Sequence, residues 1–113
     1  MATTGSKGVV VVSGIFDPAG ENLISLKPTR RYKYRSRTMP EQAQGRFRIK
    51  VEYTNGEATI VPFDALVADD AGGTRHGFFE VTIPITGEIA SIRITDASGR
   101  KQFAFIKASE IQS

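Results

Sequence analysis

Lys27, Arg30, Arg31, Lys33, Arg35, Arg37, Arg46, Arg48 and Lys50 fall in one stretch of the chain whose only acid is Glu41. Fixed guanidinium and ammonium groups attract phosphate, sulfate and carboxylate, and solubility alone is served equally well by charges of mixed sign. Within the stretch Arg31, Lys33 and Arg35 alternate with Tyr32 and Tyr34, and Arg46, Arg48 and Lys50 alternate with Phe47 and Ile49. That is the period of an extended strand. If the two runs are neighbours in one sheet, Arg31, Lys33, Arg35, Arg46, Arg48 and Lys50 make a cationic face, and these six are the candidate ligand contacts. The bland alternative is a solvated strand face whose charges block edge pairing. Tyr32 and Tyr34 share parity with Ile24 and Leu26 and are expected to face the core.

Other reactive residues do not assemble into chemistry. His76 is the only histidine and sits in Gly72-Gly73-Thr74-Arg75-His76-Gly77, which reads as a solvated loop. A general base needs a nucleophile and an orienting partner, and a metal needs three or four ligands. Asp64, Asp69 and Asp70 lie near glycines, but their spacing fails the calcium-loop pattern of alternating acids closed by a bidentate glutamate. With no cysteine there are no disulfides, thiolate metal sites or thiol nucleophiles. Neither glycine-rich phosphate-binding signature occurs. The chain is therefore expected to be no enzyme and to carry no cofactor and no metal.

The elements that position these residues are strands. A chain of 113 residues with 40% hydrophobic and 24% charged residues suits one globular domain. Its longest aliphatic run, Val9 to Val12, is far short of the roughly 20 residues that span a bilayer, and it reads as a strand. Short apolar or alternating runs recur between turn signals, and no window shows helical periodicity. Strands are expected near Gly8 to Phe16, Leu23 to Tyr34, Arg46 to Tyr53, Ala58 to Asp64, Gly77 to Pro84, Ala90 to Thr95 and Gln102 to Ile106. Seven strands suit a single antiparallel β-sandwich over residues 8–107, with a flexible segment at 1–7 and a tail at 108–113. Ser36 to Gly45 and Ala65 to His76 are long enough to cross between sheets.

Turn chemistry refines the register. Asp17-Pro18-Ala19-Gly20 reads as a tight turn, and Asn55-Gly56 and Ser98-Gly99 as hairpins. A two-residue Asn-Gly loop would set Val61 opposite Lys50, on the wrong face. A three-residue loop with Gly56 in the left-handed bulge position sets Val61 opposite Ile49 and Phe63 opposite Phe47, so the bulged hairpin is expected.

The order Val11-Val12-Ser13-Gly14-Ile15, Leu26-Lys27-Pro28, Gly45-Arg46-Phe47-Arg48-Ile49, Asn55-Gly56, Pro62-Phe63, Phe79-Glu80-Val81-Thr82-Ile83-Pro84 and Ile92-Arg93-Ile94 resembles an accessory β-sandwich domain. That domain, of immunoglobulin or fibronectin type III character, occurs toward the C-terminus of large bacterial extracellular proteins, including some peptidases. The resemblance implies a non-catalytic interaction or spacer module of a longer, secreted or cell-surface chain, although a cytoplasmic setting stays open. It transfers no site residues. The expected partners are an acidic protein, an acidic glycan surface or the parent chain's other domains, with nucleic acid disfavoured and the isolated domain monomeric. The alternatives are a carbohydrate-binding module, which the absence of tryptophan and the inward parity of the tyrosines argue against, and a polyanion-binding β domain.

Overall fold

A computed structural model describes residues 8–32, 45–69 and 71–112. The expected flexible segment at 1–7, Lys33, Tyr34, Arg35 and Asp70 lie outside the described residues. Two antiparallel sheets stack face to face. Nine strands are described: β1 (Val9–Phe16), β2 (Leu23–Leu26), β3 (Arg30–Tyr32), β4 (Phe47–Tyr53), β5 (Ala58–Phe63), β6 (Leu66–Asp69), β7 (Arg75–Pro84), β8 (Ile89–Asp96) and β9 (Gln102–Lys107), followed by a short 3-10 turn, Ala108–Glu110. One sheet, called here the β1 sheet, runs β2-β1-β7-β6 with β3 also on β1, and the β4 sheet runs β5-β4-β8-β9.

The count exceeds seven for two reasons. The run from Leu23 to Tyr34 divides at Lys27-Pro28-Thr29, where Pro28 has no N–H to give the ladder, and both halves pair with β1. The stretch after Ala65, expected as loop, contains the short edge strand β6, paired with β7. His76 consequently lies in β7 opposite Ala68, half-buried with its ring edge-on to Phe78, and not in a solvated loop. The chain changes sheet three times: between β3 and β4, between β5 and β6 and between β7 and β8. The first falls where a crossing was expected; the second is made by Asp64 and Ala65, at the very start of the expected 65–76 stretch, most of which stays in the β1 sheet as β6 and its turn to β7. The third is made by the short link Ile85–Glu88, too brief to stand out as a crossover.

Alternation builds the core. β1 and β4 read strictly buried on one face, and β7 does so from Gly77. Phe47, Ile49, Val51, Phe63, Phe79, Val81, Ile83, Ile92 and Ile94 are buried as their parity requires, while Val61 packs partly buried against them near the β5 edge. The Asn55-Gly56 hairpin has the expected bulged register: Tyr53 N–H donates to Glu57 O at 2.9 Å, Gly56 has φ +92°, and the ladder pairs Ile49 with Val61 and Phe47 with Phe63. A left-handed residue there is what glycine permits at least cost.

Two bulges explain where parity fails. In β2, Ser25 pairs with Ile15 and Leu23 with Phe16, so Ile24 is the extra residue and stands 54% exposed. A separate extra residue enters at the Pro28 break, between Lys27 on Ser13 and Arg30 opposite Val11, so parity counted from Leu26 misplaces Tyr32, which lies opposite Val9 on the outer face and is exposed, not core. In β9, Ile94 pairs with Ala104 and Thr95 with Gln102, leaving Phe103 as the extra residue. The bulge turns Phe103 inward, its ring 5.0 Å from Phe16 and 5.7 Å from Phe47, while Phe105 points out. The expected tail closes one side of the sandwich: Arg31 N–H donates to Gln112 O at 2.7 Å and Gln112 N–H to Thr29 O at 2.8 Å.

Candidate anion-binding face

The register of the β4 sheet determines which charges meet. Core residues of β4 lie opposite core residues of β8, so Arg48, Lys50 and Glu52 lie opposite Thr95, Arg93 and Ser91 on the outer face. Next along β9 come Gln102, Phe105 and Lys107. Arg48, Lys50, Glu52, Arg93, Thr95, Gly99 and Gln102 enclose a shallow open depression of about 410 Å³.

Two of the three cations here share one carboxylate. Glu52 Oε1 accepts from Arg93 Nε at 3.0 Å and from Ser91 Oγ at 3.1 Å, and its Oε2 lies 3.7 Å from Lys50 Nζ. Arg48 is held by a carbonyl, donating through Nη2 to Ala97 O at 2.6 Å. Lys50 and Arg93 face each other across adjacent strands, an arrangement that costs stability when like charges are not bridged. Glu52 bridges them only partly. Arg93 also donates to Gln102 Oε1 at 3.3 Å and lies 4.9 Å from the Phe105 ring centroid. Phe105 is 41% exposed, so an aromatic face stands beside the cations.

Of the four expected contacts among the described residues, two belong to this site. Arg48 and Lys50 line it. Arg31 is on β3 in the other sheet and so is no strand neighbour of Arg48 and Lys50. Arg46 Nε is bound to Asp64 Oδ1 at 2.8 Å, beyond the depression. Lys33 and Arg35 fall among the residues not described. Arg93 was missed by the sequence reading; its signal was a lone cation between Ile92 and Ile94 on a strand otherwise read for its core face. Asp69 is likewise matched to an arginine, Arg75, at 3.2 Å. Among the described residues no group of three or more His, Asp or Glu side chains is placed to hold a metal, and no helix is long and apolar enough to cross a membrane.

No protein-family model matches the chain, and no curated protein or solved structure is significantly similar to it. The fold class rests on the sheets themselves, and the site on its own geometry.

The Ser91 hydroxyl and the Arg93 guanidinium, with Lys50 adding charge, hold the Glu52 carboxyl below its ordinary value. A carboxylate with a depressed folded pKa stabilises the fold above its unfolded pKa, and that contribution is lost as pH falls through the folded value. Acidification through that depressed value should therefore weaken the fold and free Arg93 and Lys50 together. At neutral pH, Glu52→Gln should reproduce the charge change: binding of a sulfated polysaccharide, followed by calorimetry, is expected to tighten several-fold as the face gains one net positive charge.

Proposed function

We propose that this chain is a non-catalytic interaction module of a larger, secreted bacterial protein, and that the outer face of its β4 sheet contacts an acidic glycan. The observation that carries the reading is the row Lys50–Arg93–Phe105, which sets two cations beside an exposed ring. Anionic sugars offer both features such a row can use, a sulfate or carboxylate for the cations and a C–H face for the ring. The exposed Phe105 answers the sequence-based objection that the chain displays no aromatic for a glycan.

An immunoglobulin-like type belongs to the same proposal. The β9-β8-β4-β5 order parallels the G-F-C-C′ sheet of variable-type domains, and β6-β7 parallels its D-E pair. The first two strands are exchanged, β1 standing beside β7 where the second strand stands in the immunoglobulin order. A rigid scaffold of this kind is compatible with many functions, so the site, not the fold, bears the functional reading.

The test is a salt series. Binding to heparin, to a carboxylated cell-wall polymer, to an acidic protein and to DNA is measured for the wild type and for Arg48→Glu/Lys50→Glu/Arg93→Glu. Wild-type affinity for the glycans is expected to fall steeply with salt, because exposed charges are screened beyond about 8–10 Å at physiological ionic strength. The triple reversal should bind at least about a hundredfold more weakly, each lost contact being a charge-assisted one, while circular dichroism stays unchanged. Retained binding in the reversal, or preference for DNA or acidic protein over both glycans, would overturn the proposal.

A further inference from the structure

The outer face of the β1 sheet is apolar where that of the β4 sheet is charged. β1 directs Val9, Val11, Ser13 and Ile15 outward, and across the ladder these meet Pro84, Thr82, Glu80 and Phe78 of β7. Beyond Phe78 stands Leu66, 73% exposed, and beside Val9 stands the exposed Tyr32. A strand wetted on one face alternates, whereas an unbroken run such as Val9-Val10-Val11-Val12 is how strands covered on both faces read. The inner face of β1 is covered by the core. Its outer face has no cover among the described residues.

The charges that remain on this face are sorted by flank. Lys27, whose N–H donates to Ser13 O, and Arg30, opposite Val11, lie on one side of β1. Glu80, opposite Ser13, lies on the other. Neither Arg30 nor Glu80 forms a salt bridge among the described residues. The face is thus complementary to itself. We propose that a second copy of this chain covers it, packing sheet on sheet about a two-fold axis that runs along β1 between the layers. That axis exchanges the flanks, so Lys27 and Arg30 of one copy lie over Glu80 of the other, twice, and the valines of β1 meet at the centre.

Size agrees with this. The eight residues of β1 run roughly 26 Å, and four strand positions span roughly 19 Å, about 500 Å² in plan before side-chain relief is added. A standard specific interface uses about 800 Å² of accessible surface per partner, a figure that includes such relief. The proposed dimer departs from the monomer expected from sequence and is independent of the anion-binding reading, whose residues lie on the other sheet.

Sedimentation velocity over a concentration series tests it. The wild type is expected to dimerise reversibly, and both Val11→Lys and Glu80→Arg to weaken self-association at least about tenfold with unchanged circular dichroism. Lys27→Glu/Arg30→Glu should weaken it equally. Combining those two changes with Glu80→Arg inverts both flanks and should restore the dimer, a recovery that a merely unstable variant would not show. A wild type that stays monomeric to about 0.5 mM would overturn the proposal, whether or not it binds phosphatidylcholine vesicles, and vesicle binding would reassign the face to lipid. A dimer indifferent to Val11→Lys and to Glu80→Arg would overturn it as well.

Discussion

Phe47→Ala is expected to lower unfolding free energy by about 3–5 kcal/mol, measured by denaturant titration, while Lys50→Ala three residues away costs within about 0.5 kcal/mol. Phe47 is 2% exposed and stands in a cluster of five phenylalanines. Its ring stacks on Phe16 at 4.3 Å, lies 5.4 Å from Phe63 and meets Phe103 edge-on, so truncation opens a cavity between two sheets that cannot collapse toward each other. Lys50 points into water and carries only a 3.7 Å pairing with Glu52. Equal losses at the two positions would mean that the faces of β4 are misassigned.

The second large effect is expected where the backbone itself leaves no room. A Cβ at Gly45 would fall 2.1 Å from Phe63 O and 2.4 Å from its carbonyl carbon, main-chain atoms held in the β4–β5 ladder. Gly45→Ala must therefore displace the start of β4 or the end of β5, and with either the Phe47–Phe63 pair. A loss of about 3 kcal/mol or more is expected. Gly56→Ala is the control: nothing lies within 4 Å of the new Cβ, so only the left-handed backbone is penalised, by about 1–2 kcal/mol. If Gly45→Ala is the milder of the two, the close approach of the chain to Phe63 is wrong.

Local chemistry was readable wherever two independent constraints met in the sequence. At Asn55-Gly56 the turn type and the requirement that Val61 and Phe63 share the core left one register, and the β4–β5 ladder has it. The turn at Asp17 reads equally well: its carboxylate accepts from Glu21 N–H at 2.8 Å and from Asn22 Nδ2 at 2.9 Å. These bonds, Asn22 foremost, keep that carboxyl below its ordinary range. Parity alone was a weaker guide. The break at Pro28 reversed the inference for Tyr32: Lys27 bonds to Ser13 and Arg30 lies opposite Val11, three residues against two, and one extra residue flips every position counted through it.

The site was half legible for a different reason. Arg48 and Lys50 are consecutive outward positions of one strand, but Arg93 joins them only through a pairing that spans more than forty residues, and sequence-adjacent Arg31 is carried off to the other sheet. Proximity along the chain is a poor proxy for proximity in a sandwich that changes sheet between β3 and β4. The run Val9 to Val12 carried more information than its length suggested: it marked β1 as a strand, and also as one whose outer face is apolar.

Amide chemical-shift mapping with a sulfated oligosaccharide tests the central claim, that the outer face of the β4 sheet is the contact surface, most directly. The account predicts shifts concentrated at Arg48, Lys50, Arg93, Gln102 and Phe105, fading with added salt, with Arg31 and the outward residues of β1 unmoved. Shifts centred on Arg30 to Tyr32 or on β1, or none along β4 and β8 at saturating ligand, would contradict it.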